Sequence, residues 1–284
     1  MNERDVERSG AGGGGSTSRD TPIERMPVVI LAGGMGTRLR EETERIPKPL
    51  VAIGERPILW HIMKLYGHYG VKRYVVCLGY KSWNIKEYFL RYREQVSDLT
   101  VSLGSGDAAI RHAPAAEDWE VTLAETGLLT GTGGRLRMVR DYVDTDTFMF
   151  TYGDGLGQID IQALLEFHRS HDRIGTVTAV HPTSRYGEMR VNDGFVSEFN
   201  EKPTSVEGFV SGGFFVFQRE IFDYLSDEPE LLFELSPLQK LARDSQLAVF
   251  PHEGFWMGMD TYREFTELNE LWASGQAPWK VWQE

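Results

Sequence analysis

Gly33, Gly34 and Gly36 stand directly behind the apolar run "PVVILA", and Arg38 and Lys48 follow in "GTRLREETERIPKPL". Glycine lets backbone N–H groups approach an anion closely and form turns closed to other residues. Arg38 offers a planar fork of donors suited to phosphate oxygens. Pro47 and Pro49 restrict the backbone on either side of Lys48 and so limit where its ammonium can sit. Bare backbone beside two placed cations is the equipment for holding a nucleoside triphosphate. On the glycines alone, a plain tight turn is the lesser alternative. Two commoner phosphate motifs are absent: no Gly-Lys pair completes a phosphate loop, and Leu39 takes the third-glycine position of a dinucleotide fingerprint, which weakens any dehydrogenase reading.

Carboxylates complete the set. Asp154 ends the apolar run of "TFMFTYGDG", where a side chain projects from a sheet edge into a ligand crevice. Asp260, in "FWMGMDTYREF", precedes a helical pattern and by itself reads as an N-cap. Glu201 and Lys202 in "FNEKP" read as a solvated pair in a turn. Gly79 and Tyr80 in "CLGY", Gly127 in "AETG" and Gly133 in "TGTGG" suit either a base pocket or turn geometry. None of the 7 histidines falls into metal spacing; His168 and His171 are expected on a surface face, and His61 in helix packing. The tryptophans and phenylalanines are expected in the core.

The elements that must position these residues alternate. "PVVILA", "RYVVCLGY" and "FMFTYGDG" read as buried strands, and "PILWHIMKLYGHYG", "KSWNIKEYFLRYREQ" and "DIQALLEFHRSHD" as helices, the first stopped by Gly70. Such alternation predicts parallel pairing with right-handed crossovers. The later segments "GTVTAVHP", "GEMRVNDGFVSEFNEKP" and "SGGFFVFQREIFDYL" are richer in short strands, with a hairpin at "VNDGFV"; two helical stretches, "PLQKLARD" and "TYREFTELNELWASG", close the chain. The expected architecture is α/β: a doubly wound, mixed but mostly parallel sheet with a smaller β-rich part. Residues 1–25 read as a disordered Gly/Ser-rich leader, 26–160 as a nucleotide-binding part and 161–284 as a second part of one domain.

Bulk properties set the outer bounds. A formal net charge of −12 argues against nucleic-acid binding, which needs a basic face. No apolar run reaches the roughly 18–20 residues that span a bilayer. The single cysteine, Cys77, fits a reducing cytoplasm and is expected to be a buried, inert thiol. "APWKVW" near the C-terminus offers aromatic surface for a neighbouring copy or for the chain's own core.

Taken together, "LAGGMGTRL…PKP", "RPILWHIMK", "GYK", "IKEYF", "TGGRL", "TYGDG", "GGFFV" and "APWK" resemble the sugar-1-phosphate nucleotidyltransferases, in order over about residues 27–283. Within that family they are most similar to the branch that uses CTP and glucose 1-phosphate. The resemblance implies a Rossmann-like fold and attack of a sugar phosphate on the α-phosphorus of CTP, with release of pyrophosphate. It implies Arg38 and Lys48 as catalytic cations and Mg²⁺ held by Asp154 and Asp260. It further implies nucleotide contacts at Leu31, Ala32, Gly33, Gly34, Gly36, Thr37, Gly79, Tyr80, Gly127 and Gly133. The sugar contacts it implies are Glu201, Lys202, Ser211, Gly212 and Gly213. Relatives tend to assemble, so a homo-oligomer is expected. Ser211 stands where the glucose-using branch carries an amide, and Glu188 and Arg190 stand where small or acidic residues are usual, which leaves the sugar open.

Overall fold

The computed structural model describes residues 21–106, 108–111, 117–181, 188–192, 195–200 and 208–283. Seven strands form one sheet: β1 (Pro27–Leu31), β2 (Arg73–Leu78), β3 (Glu120–Glu125), β4 (Thr147–Tyr152), β5 (Gly175–Val180), β6 (Val210–Gln218) and β7 (Leu247–His252). Their order is β7-β5-β6-β4-β1-β2-β3. Only β6 runs against the rest, so the sheet is mixed and mostly parallel, as the alternation predicts. Strands β5, β6 and β7, from the later part of the chain, extend the same sheet as β1–β4.

Every residue of β1 is buried, because helices cover both faces. The period-2 alternation of a strand divides its side chains. Val28 and Ile30 join the core layer under α1 (Ile58–His68), α2 (Ser82–Leu90), α4 (Ile161–Arg169) and α6 (Tyr262–Ala273). Val29 and Leu31 join the opposite layer, under α3 (Thr132–Met138) and α5 (Ser236–Arg243). Helix α1 ends where expected, with Gly70 in the left-handed region at φ 97°. Cys77 is fully buried, and burial pushes its thiol up to about 12.

Several segments depart from the sequence reading. Ile23–Arg25 forms a single 3₁₀ turn inside the expected leader, tied by Arg73 Nη1 to the Arg25 carbonyl at 3.0 Å. The helix over "KSWNIKEYFLRYREQ" breaks at Arg91 into α2 and a short turn, Tyr92–Gln95. The His168–His171 pair is not a surface face. His168 is fully buried, and Nδ1 of His168 and Nε2 of His171 lie 2.8 and 3.0 Å from Thr176 Oγ1, because polar Thr176 and Gln218 sit under α4 and require partners. "APWKVW" folds back on its own core, with Trp279 fully buried. It closes on His61 of α1. Trp279 Nε1 donates to His61 Nδ1 at 3.3 Å, which leaves Nε2 to donate to the Ile53 carbonyl at 2.9 Å. Both nitrogens of a neutral ring are satisfied, and burial pulls the His61 pKa down to about 4.

One buried cation ties together the loops at the carboxyl edge. Arg135 of α3 is 4% exposed, and its guanidinium meets four carbonyls and one hydroxyl. Nη1 donates to the carbonyls of Leu78 (2.9 Å) and Gly127 (2.8 Å) and to Thr126 Oγ1 (2.6 Å); Nη2 donates to those of Gly33 and Leu128, each at 3.2 Å. The ends of β1, β2 and β3 are thus fixed to one another. Burial lowers the pKa of the guanidinium, yet an arginine stays charged in proteins.

Two predictions follow from these packing arrangements. His61 has a folded pKa below its unfolded value, so between about pH 6.5 and about pH 4 the unfolded chain binds more protons. Stability is fully present above that window and falls by about 3 kcal/mol across it. Chemical denaturation of wild type and His61→Gln across this range checks it, and equal pH slopes for the two would refute it. Arg135→Met orphans several buried carbonyls at once and costs about 3 kcal/mol or more. A urea midpoint within experimental error of wild type would show that those contacts do not hold the loops.

Candidate active site

From β1 the chain moves outward to β2 and β3, then returns to the other side of β1 as β4. The connections leaving β1 and β4 therefore diverge, and the carboxyl ends of those strands open a crevice. The glycine loop 33–36 leaves β1 on one side, and Gly153 and Asp154 leave β4 on the other. A cavity of about 430 Å³ lies between them, lined among others by Leu31, Ala32, Gly33, Gly34, Gly36, Lys48, Tyr152 and Asp154. Gly36 has φ 61°, and a Cβ there would meet Thr43 Cγ2 at 2.8 Å, so this turn needs glycine.

At one end of the cavity Lys48 sits between two carboxylates. The Pro47–Pro49 box begins a 3₁₀ turn, Lys48–Leu50, which buries the Lys48 side chain to 11% exposure. Nζ donates to Asp154 Oδ2 at 2.6 Å and to Asp260 Oδ1 at 2.8 Å. Burial opposes the charge on Lys48, but Asp154 and then Asp260 outweigh it and hold the ammonium's pKa above its ordinary value. Arg38 Nη1 reaches Asp260 Oδ2 at 3.4 Å while remaining largely exposed.

The two aspartates lie 106 residues apart in sequence and meet through backbone. Gly155–Gly157 pairs antiparallel with Trp256–Gly258, and Met259 N donates to the Asp154 carbonyl at 2.8 Å. Asp260 is not the N-cap that its sequence position suggests. Thr261 caps α6, accepting from Glu264 N, while Glu264 Oε2 accepts from the N–H groups of Asp260 and Thr261, each at 2.8 Å. This capping box fixes the Asp260 backbone and leaves its carboxylate for the cleft. Two hard oxygen donors converging on one cation position fit Mg²⁺, which takes one or two protein carboxylates and completes its shell with phosphate oxygens and water. Among the described residues no group of three or more metal-ligating side chains forms.

The remaining candidates divide. Thr37 is exposed at the outer rim, beside Arg38. Gly79, Tyr80, Gly127 and Gly133 do not line this cavity. Tyr80 N donates to the Gly33 carbonyl at 3.1 Å, the Gly127 carbonyl accepts from Arg135, and Gly133 N donates to the Leu231 carbonyl at 2.9 Å. Their local role is to brace the glycine loop and α3. Ser211, Gly212 and Gly213 open β6, whose reversed direction brings its first residues to the same carboxyl edge. Gly213 has φ 79°, and a Cβ there would meet the Tyr152 ring at 2.5 Å. Glu201 and Lys202 lie outside the described residues.

Three side chains at the site went unnoticed in the sequence. Arg135 sits in "TGGRL" with nothing in its neighbourhood to mark it as a buried cation. Tyr152 lines the cavity, and its hydroxyl donates to Glu234 Oε1 at 2.6 Å. Burial, aided by Glu234 beside it, pushes the phenol well above its ordinary range, so Tyr152 is a neutral hydroxyl. Glu234 also accepts from Thr132 Oγ1 at 2.7 Å. Only the strand-end position of Tyr152 next to Asp154 could have pointed to this cluster.

Comparison with known proteins agrees with this geometry. The Nucleotidyl transferase family matches residues 27–274. Glucose-1-phosphate cytidylyltransferase of Salmonella typhimurium is 46% identical over 259 residues, covering 91% of this chain and all of that protein. Among solved structures, the inositol-1-phosphate CTP transferase from T. maritima superposes with TM-score 0.61 at 17% identity, over 92% of this chain and 98% of that one. HddC from Yersinia pseudotuberculosis gives 0.60 at 24% identity, over 87% and 99%. At such identities these structures speak for the fold alone. Fold, cleft and sequence kinship together make this chain a member of the nucleotidyltransferase family, in its sugar-1-phosphate branch.

Proposed function

We propose that this protein joins glucose 1-phosphate to CTP, giving CDP-glucose and pyrophosphate. The observation that carries the reading is Lys48 held between Asp154 and Asp260 at the β1/β4 crevice. The end-to-end 46% identity with the Salmonella cytidylyltransferase supports the choice of substrates.

A phosphate oxygen of the sugar attacks the α-phosphorus of CTP; the new P–O bond forms as the bond to the β-phosphate oxygen breaks and pyrophosphate leaves. The nucleophile is already anionic near neutral pH, so no general base is required. The barrier is electrostatic, since two polyanions must meet and charge spreads over the α-phosphoryl group. Gly34 and Gly36 give the phosphates close access to backbone. Lys48 would give its ammonium to α-phosphoryl oxygens, and exposed Arg38 its fork to the leaving phosphates. Asp154 and Asp260 would hold Mg²⁺, which supplies further neutralisation of phosphate charge. On the sugar side, Lys202 would take the phosphate and Glu201 the hydroxyls, with Gly212 and Gly213 admitting the ring.

The exposed Ser211 at the head of β6 favours a second reading, in which another hexose 1-phosphate is the better acceptor. A serine offers one donor where an amide offers two. We also infer a cytoplasmic protein, in keeping with the buried thiol of Cys77. A homo-oligomer remains part of the proposal, and the exposed Leu99 and Val101 of the Asp98–Val101/Ala108–Arg111 ribbon supply contact surface for it. Among the described residues no helix is long and apolar enough to cross a membrane.

Lys48→Ala and Asp154→Asn should each lower pyrophosphate release from CTP and glucose 1-phosphate by about 10²–10³-fold, with the fold intact by circular dichroism. Near-normal turnover in either would remove the proposed roles. A panel of sugar 1-phosphates tested with CTP should show glucose 1-phosphate with the highest kcat/KM; a different best substrate would move the assignment to the second reading.

A further inference from the structure

Beyond the phosphate end, the cleft wall carries a clamp that the transfer chemistry does not use. Thr132, the first residue of α3, and Tyr152, the last of β4, both line the cavity. Glu234 stands outside them and accepts both hydroxyl protons, Tyr152's on Oε1 at 2.6 Å and Thr132's on Oε2 at 2.7 Å. The Thr132 oxygen also accepts from Phe233 N at 2.8 Å. At the α3 N-terminus the amides of Gly131, Gly133 and Gly134 are already committed, to the carbonyls of Pro229 and Leu231.

A hydroxyl has one proton to give. With both protons directed at Glu234, Thr132 and Tyr152 keep only lone pairs for a ligand, and Glu234 itself only accepts. The Thr132–Tyr152–Glu234 cluster therefore presents acceptors to a cavity that Lys48 and Arg135 also line. Leu128, Leu129 and Leu232 add apolar surface to the same cavity.

We propose that Glu234 is a specificity-determining positioning residue: it fixes the hydrogen-bond polarity of Thr132 and Tyr152 so that the wall takes donor groups from the nucleoside part of the nucleotide. This rests on the reading that the cleft binds a nucleoside triphosphate. Two groups on CTP answer the description, the exocyclic amine of cytosine and the ribose hydroxyls. Uracil presents a carbonyl oxygen where cytosine presents the amine, so its lone pairs would face lone pairs. Deoxyribose lacks the 2′-hydroxyl. A site whose buried polar groups require a donor rejects the analogue without it.

The test is calorimetric titration of CTP, UTP and dCTP, each with Mg²⁺ and no sugar phosphate, into wild type, Glu234→Gln and Tyr152→Phe. Glutamine replaces one acceptor by an N–H donor, so one hydroxyl must turn its proton into the cleft. Tyr152→Phe keeps the ring packing and removes one lone pair, which keeps the test available should Glu234→Gln fold poorly. Wild type should prefer CTP, and both variants should narrow one of the two preferences about tenfold. Narrowing of CTP over UTP identifies the amine as the donor that is read; narrowing of CTP over dCTP identifies the 2′-hydroxyl. A purely structural Glu234 would weaken all three nucleotides together, and ratios unmoved within twofold in folded variants overturn the inference alone. Wild-type protein that binds none of the three overturns the nucleotide reading as well.

Discussion

A single ammonium group joins the two ends of this fold. Lys48 comes from the loop after β1, Asp154 from the end of β4, and Asp260 from the approach to the last helix, and they meet within hydrogen-bond distance. Two carboxylates at such separation repel each other, and in a partly buried cleft they need a cation between them. The surrounding structure meets that demand in stages. The proline box limits where Lys48 can go, the 155–157/256–258 ribbon carries Asp260 back to Asp154, and the Thr261–Glu264 capping box holds the backbone from which Asp260 projects. The sheet order matters for the same reason. At the β1/β4 switch two neighbouring parallel strands send their connections to opposite sides, which opens the crevice.

Arg135 plays the converse part. Its partners are carbonyl and hydroxyl oxygens, so its charge is solvated by loop dipoles and left without a neutralising carboxylate among them. A buried charge is tolerated when it is hydrogen-bonded, and the five acceptors serve both terminal nitrogens of the guanidinium. Two consequences come from the same arrangement. The loops after β1, β2 and β3 are held in fixed relation, and a positive charge lies directly under the glycine loop. Mechanical bracing and electrostatic bias are one contact set here.

Much of this was legible in the sequence because it depends on local pattern. Apolar runs ended by glycine gave β1, β2 and β4, and helical spacing gave α1, α4 and α6. Lys48 was legible because two prolines around a lysine restrict it in any context. Asp260 was ambiguous because its neighbours carry a genuine capping signal; the cap is Thr261, one residue on, and only the folded register separates the two. Arg135 and Glu234 were not legible. Their roles arise from contacts with residues far along the chain, such as Gly33 and Tyr152, that no spacing rule encodes. His168 and His171 misled for a related reason: a three-residue spacing on an amphipathic helix says nothing of a threonine on the strand beneath.

The net charge of −12 looks ill suited to binding two polyanions, and the cleft explains how the two coexist. Charges separated by more than about 10 Å in solvent are largely screened at moderate salt, so the acidic surface contributes little inside a crevice. What a phosphate meets there is set by near and partly desolvated groups: the Lys48 ammonium, the buried Arg135 guanidinium behind the glycine loop, and glycine backbone. Asp154 and Asp260 subtract from that field in the free protein, and under the proposed function a divalent ion held between them would offset their charge. The character of the cleft is thus written by a handful of side chains independently of the protein's overall charge.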